Sequence, residues 1–307
     1  TNSSRGYGVY LPTNANNNSI RNNIITTSGG SGVGAYLYSS VNNSVYNNTI
    51  TTSGSSGYGI LLWINSNNSV YSNTITTSGS GGLSVYLSGS SDNRVYNNTI
   101  TTNGSNGVGV RLSSDSNNNS VYSNTITTSG SGGYGVYLTT LSDKNNVYSN
   151  TITTSGGNGA GTILSSGSNN RVYSNNITTS GSTGYGVDLS GSSNNSVYNN
   201  TITTNGSSGF GVSLLSSSYY HNVYSNTITT SGSSGYGVRL SANTNNNIVY
   251  GNTITTSGSF GMGVYLSQNS NNNNVYSNTI TTSGSGGVGV DLFFSSNNSV
   301  YSNNITT

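Results

Sequence analysis

Isoleucine returns along this chain with a nearly constant step. In the motif NTITT or its variants it stands at residues 25, 50, 75, 100, 126, 152, 177, 202, 228, 254, 280 and 305, so successive copies are 25 or 26 residues apart. Five residues before each of these lies Val, or Ile20 in the first copy, and after a Gly/Ser turn comes an alternating stretch such as Tyr58-Gly-Ile60-Leu-Leu62. No segment carries the 3.6-residue spacing of an amphipathic helix. A period of this length built from β-prone residues and Gly/Asn turns predicts an all-β solenoid, one coil per repeat and twelve coils over residues 1–307 as a single domain.

Residues 45–69 give the layout of one coil. Val45 and Ile50 are five apart, an odd separation that a flat strand would put on opposite faces, so the chain must bend between them. Asn48 sits at that bend, and the equivalent position is Asn in every copy, including Asn73, Asn98, Asn124 and Asn150. Asn tolerates the left-handed region, and its amide both donates and accepts, so stacked copies form a hydrogen-bonded ladder along the axis. Alternation points residues 58, 60 and 62 inward, giving about five core side chains per coil with Val45 and Ile50. The Asn/Ser/Gly stretch that follows varies by one residue and decides between 25 and 26. Parallel strands lie about 4.8 Å apart, so twelve coils make a rod of about 58 Å.

Three outward rows follow from this register. The first is a tyrosine row, Tyr46, Tyr71, Tyr96, Tyr122 and Tyr148 continuing to Tyr301, with Arg21 in the first coil. Stacked rings stabilise the sheet, and the same row is a potential aromatic face for sugar or for another surface. The second is a grid of threonine pairs flanking the inward Ile: Thr49 and Thr51, Thr74 and Thr76, Thr99 and Thr101, Thr125 and Thr127, Thr151 and Thr153. The leading position departs from Thr at Ile24, Asn176 and Asn304. The third row, between residues 58 and 62 and their equivalents, runs through Tyr36, Leu61, Tyr86, Arg111, Asp188 and Arg239 to Asp291. It is the least stereotyped outward position on a strand and the natural place for specific contacts.

Composition adjusts this picture in a few respects. Only 4% of residues are charged and 30% are apolar, a balance that would suggest disorder were it not for one Pro, no Glu, 24 Tyr and abundant Thr, Val and Ile. The net charge of +2 comes from single scattered residues, so no basic stripe exists for nucleic acid. Cysteine is absent, and no apolar run approaches a membrane span of roughly 20 residues. The "NNTI" and "GYGI" motifs resemble those of the parallel β-helix repeat proteins, especially Asn/Thr-rich arrays of archaeal and bacterial surface and secreted proteins. That resemblance covers the whole chain and implies a right-handed winding, in keeping with the crossover rule. It leaves function open, since the scaffold carries lyases, hydrolases, adhesins and fibres. The threonine grid resembles the Thr-x-Thr array of insect antifreeze proteins, without their cysteine staples, which makes ice binding the alternative function.

Candidates for catalysis are sparse. Glycoside hydrolysis normally uses two carboxylates within about 5–9.5 Å. Asp188 and Asp291 share a row but stand four coils apart, about 19 Å. Asp92, Asp115 and Asp143 fall in the variable stretch of successive coils, roughly 5 Å apart if those stretches stack alike, among Ser and Asn. His221, the only histidine, is expected at the surface with no partner for a metal site. SGSGG runs lack the Lys and helix of a phosphate loop and read as turns. No metal or cofactor is therefore expected, and no catalytic residue.

Sequons occur at Asn42, Asn47, Asn67, Asn97, Asn118, Asn176, Asn194, Asn199 and Asn297, candidate attachment points for glycans. Thr1 and Thr307 both take the phase of Thr52, so the coil count is an integer, with no capping element at either end. Open ends suggest end-to-end self-association or neighbouring repeats of a longer chain. The reading that follows from the sequence is a non-enzymatic structural or adhesive solenoid, extracellular or on a cell surface.

Overall fold

The computed structural model describes residues 3–307, and Thr1, on which the phase argument for the N-terminus rests, lies outside them. The chain winds as a parallel β-solenoid with three strands per coil, for example Tyr58–Trp63, Ser69–Tyr71 and Thr74–Thr77. Equivalent strands of successive coils pair in parallel, giving three sheets of twelve strands each. We call them the long-strand, tyrosine and threonine sheets. Register is constant: Tyr46 pairs with Tyr71, Ile50 with Ile75 and Leu61 with Tyr86.

The core is four apolar columns, represented in one coil by Val45, Ile50, Ile60 and Leu62, all fully buried. The expected fifth, at position 58, is absent from it. Gly59 and Ile60 both face the interior, so strict alternation slips by one residue. A side chain on Gly59 would have its Cβ 2.5 Å from Ile75 Cγ2 and 2.5 Å from the Ser84 carbonyl oxygen. Glycine therefore occupies this position in eleven of the twelve coils, Ser84 being the exception. The slip turns position 58 outward, beside position 61: the rings of Tyr58 and Tyr86 lie 5.6 Å apart on the outer face. Val33 packs there with Tyr36 and Leu61 in a small apolar cluster separate from the core.

At the corner, Asn48 is buried, and its Nδ2 donates to the carbonyl oxygens of Ile20 (2.8 Å) and Tyr46 (3.0 Å) and to Asn73 Oδ1 (3.0 Å). Asn73 Oδ1 also accepts from the Asn48 backbone N–H, and the pattern continues through Asn98, Asn124 and Asn150. The left-handed residue of this corner is the preceding one, Asn47 at φ 54°, Ser72 at 55° or Asn97 at 54°. The left-handed backbone therefore belongs to the exposed neighbour of each ladder asparagine, not to the ladder asparagine itself.

A second, internal ladder lies five residues upstream at Asn43, Asn68 and Asn93, continuing through Asn119 to Asn195 with the same Oδ1-to-backbone bonds. The stretch read as a variable surface loop is therefore largely fixed. Length varies only just after the long strand, where 26-residue coils place two left-handed residues in succession, such as Ser114 and Asp115, and 25-residue coils place one, such as Ile64.

Candidate functional site

Chemical variety is greatest on the outer face of the long-strand sheet, although the tyrosine sheet also carries, beside its tyrosines, a row of Ser, Asn and Ile with the exposed Arg94 and Arg171. On the tyrosine sheet, Tyr46 and Tyr71 stack at 4.8 Å and 3°, and Tyr71–Tyr96, Tyr96–Tyr122 and Tyr122–Tyr148 follow at 4.9–5.0 Å. On the threonine sheet, Thr49, Thr74, Thr99, Thr125 and Thr151 are exposed and in register, and Thr51, Thr76, Thr101, Thr127 and Thr153 are exposed or half-buried beside them. The long-strand face instead combines two outward rows. Position 58 supplies Tyr134, Tyr185, Phe210 and Tyr236, and position 61 supplies Arg111, Tyr137, Asp188, Ser213, Arg239 and Tyr265.

These rows interlock through their rings. Tyr134 meets Tyr137 at 5.5 Å and Tyr236 meets Tyr265 at 5.1 Å, while the Arg239 guanidinium lies 5.0 Å over Phe210. Arg111 is held between Tyr86 and Tyr137, 5.4 and 5.5 Å from the ring centres. Such contacts fix a guanidinium on an aromatic face while leaving its N–H groups free to bind.

Asp188 stands in this face between Ile163 and Ser213, with Arg239 two coils on, about 10 Å away along the axis. Burial pushes its carboxyl up to about 7, against the opposing pull of Ser213 and Arg239. The phenol of Tyr185 is raised by burial and then by the Asp188 carboxylate. Asp188 and Ser213 are paired neighbours in this row, whereas Arg111 Nε and Arg239 Nε are enclosed without a hydrogen-bond partner. Enclosed polar atoms normally find partners, so these two guanidinium groups have hydrogen-bonding capacity that the chain itself leaves unused. Sequence reasoning placed Asp188 on this row but dismissed it for lack of a second carboxylate; the signal overlooked was the bulky aromatic company at position 58, which the slipped register brings alongside.

The loop acids do not form a site. Asp92 shares its row with Asn118 and Lys144, Asp143 takes a ladder position in which its Oδ1 accepts from the Ser168 N–H at 2.7 Å, and Asp115 lies in the two-residue corner. They fall on three different rows. No group of three metal-ligating side chains occurs among the described residues.

His221 is buried, contrary to expectation. It replaces asparagine in the second ladder: Nδ1 accepts from the Asn195 N–H at 3.1 Å, and Nε2 is 3.0 Å from the Ser192 carbonyl oxygen, to which it must donate. Burial depresses its pKa to about 4, so the ring is neutral and copies the donor and acceptor of an amide. The sequons are all exposed: Asn42, Asn67, Asn118, Asn194 and Asn297 share one left-handed row, Asn47, Asn97 and Asn199 the other, and Asn176 lies in the threonine grid.

The geometry can now be set beside known proteins. Residues 1–152 and 152–305 each match the right-handed β-helix region family model. The chain belongs to the right-handed β-helix family. A comparison with curated protein sequences found no significant match. Among solved structures, the β-helix resembles the Azotobacter vinelandii mannuronan C-5 epimerase AlgE6 A-module at 16% identity and TM-score 0.60, covering 99% of this chain and 91% of that one. It also resembles the chain in the Vag8–C1 inhibitor complex (13%, TM-score 0.63, 99% and 96%) and the periplasmic alginate epimerase AlgG (14%, TM-score 0.54, 92% and 77%). At such identities the likeness is one of fold. It nevertheless overturns the expectation of a non-enzymatic structural or adhesive rod, since two of these β-helices of matching extent are enzymes of polysaccharide chemistry. Among the described residues no helix is long and apolar enough to cross a membrane.

Proposed function

We propose that this β-helix binds a polysaccharide along the outer face of its long-strand sheet and acts on it by proton transfer at Asp188. The observation that carries the reading is the Asp188 carboxyl, enclosed on this face between Ile163 and Ser213, three residues from Tyr185, and held near 7 by burial. A group titrating near neutrality both gives and takes a proton efficiently, the property a general acid–base residue needs. Tyrosine rings receive the C–H faces of sugars, and the free N–H groups of Arg111 and Arg239 receive their hydroxyls or carboxylates. The other carboxylate of the same row, Asp291, is four coils away, about 19 Å. Two-carboxylate hydrolysis is therefore a poor fit, whereas a transfer using Asp188 with the Tyr185 phenol, three residues away on the same face, needs no second acid. The extracellular or cell-surface location inferred from the sequence suits a polymeric substrate, and the likeness to mannuronan and alginate epimerases supports a polysaccharide.

The test is a panel of neutral and acidic polysaccharides, followed by NMR for epimerised or unsaturated residues and by reducing-end release. Wild-type protein is expected to turn over at least one, and Asp188→Asn to bind it unchanged without turnover. Turnover undiminished in Asp188→Asn refutes the assignment, and the absence of binding to every polymer refutes the function.

A further inference from the structure

We infer a second saccharide site, distinct from Asp188, in a cleft at the N-terminal end of the long-strand face, and assign to it a sugar ring bearing a carboxylate. The cleft has a volume of about 210 Å³. Its floor is Val33, Tyr36 and Leu61, the apolar cluster that lies outside the core, and its walls are Tyr7, Tyr58 and Trp63 with Arg5 at the rim. The walls are held by ring contacts: Tyr7 on Tyr36 at 5.2 Å and 63°, Tyr36 on Tyr38 at 6.1 Å, and Tyr38 edge-on to Trp63 at 6.4 Å and 90°. A cleft shaped by fixed rings at different tilts loses little side-chain entropy on binding.

The occupant follows from this lining. Aromatic walls with polar tips receive an object with one apolar face and a polar edge, which describes a pyranose ring. Arg5 is the only charged side chain among the lining residues, and a guanidinium at a rim pairs best with a planar carboxylate. The volume admits one sugar or two, below the roughly 300 Å³ at which drug-sized pockets begin. Burial pushes the Tyr36 phenol to about 12, so it stays a neutral hydrogen-bond donor inside the cleft. From the Tyr58 coil to the Asp188 coil is five steps of the solenoid, about 24 Å, along one face on which Tyr86, Tyr134 and Tyr137 are interspersed with Arg111, Val108, Ala160 and Ile163. The cleft is thus placed to anchor a polymer whose more distant residues reach Asp188. The assignment rests on the reading of this face as a saccharide surface, although it does not require that Asp188 be catalytic.

Trp63 is the only tryptophan in the chain and is 47% exposed, so indole fluorescence reports on this cleft alone. The probes are a galacturonate trimer and an uncharged glucose trimer, titrated into the full chain with and without acrylamide as quencher. The acidic trimer is expected to shift Trp63 emission, protect it from acrylamide, and bind at least about tenfold more tightly than the neutral one, the minimum effect of a charge-assisted hydrogen bond. Arg5→Gln should bring the two trimers to equal affinity, and Asp188→Asn should change neither. If no trimer alters Trp63 emission, the site is refuted even where turnover at Asp188 persists. If both bind equally to the wild type, the acidic class is refuted. Binding of the acidic trimer without any turnover upholds the cleft and counts only against the catalytic reading of Asp188.

Discussion

Replacing His221 by asparagine should remove one source of acid sensitivity without harming the fold. The imidazole stands where eleven other coils carry Asn, and its two ring nitrogens already make the bonds of an amide, so His221→Asn restores the ladder's usual member. In the unfolded chain the ring titrates at its ordinary 6.5, whereas in the fold burial holds it down to about 4. Protonation would place a second N–H against the Asn195 N–H and bury a charge. The stabilisation is therefore complete above pH 6.5, is lost as pH falls through the interval to about 4, and changes no further below it. A separation of about 2.5 units corresponds to about 3 kcal/mol. Urea unfolding followed by circular dichroism at several pH values should show the stability difference between His221→Asn and wild type growing in favour of the variant by that amount from pH 7 to 4. Coils of a repeat array can open separately, so the transition is best paired with nitrogen NMR of the sole imidazole. That spectrum should show the Nε2–H form persisting below pH 6. A stability difference independent of pH, with an imidazole titrating near 6.5, would refute the argument.

Two further outcomes follow from the same geometry. Asp188 has the opposite sign: its folded value near 7 lies above the ordinary 3.8, so the fold loses stability as pH rises across that window, by about 4 kcal/mol in full. In wild type this masks much of the His221 effect, and Asp188→Asn should be more stable than wild type at pH 8 but equal to it below pH 4, as measured by urea unfolding. Gly109→Ala would put a methyl 2.5 Å from Ile126 Cγ2 and 2.6 Å from the Gly135 carbonyl oxygen, and should cost about 1–3 kcal/mol, seen as a lowered midpoint of thermal unfolding; an unchanged midpoint would mean that the coil spacing yields.

Much of the coil could be read from spacing alone, because ladders require identical residues at identical phases. The corner asparagines, the stacked tyrosines and the paired threonines are of this kind, and counting alone gives their phases. The position-58 row was misread because alternation presumes that every residue points somewhere, and a glycine whose missing side chain lets two neighbours share one face breaks that presumption. Its near-constant presence one residue after position 58 was the available signal. The second ladder, and with it His221, was hidden in a stretch whose Ser/Asn content resembles a loop; the clue was a fixed separation of five residues from the corner asparagine. Asp188 was visible, but its protonation is set by how side chains of its own and neighbouring coils bury it, and a linear sequence does not display that enclosure.

Because each coil offers the coil above it the same atoms that it receives from the coil below, removing or duplicating one whole repeat rejoins matching surfaces. Residues 95–120, for instance, begin at Val95 and end before Val121, its register partner. The β-helix is in this sense a ruler graduated in coils of about 4.8 Å. Recombination between its near-identical repeats would move the Arg5–Trp63 cleft toward or away from Asp188 by whole graduations, leaving both intact. The length of polymer spanning the two would then be inherited as a repeat number rather than encoded in any single side chain.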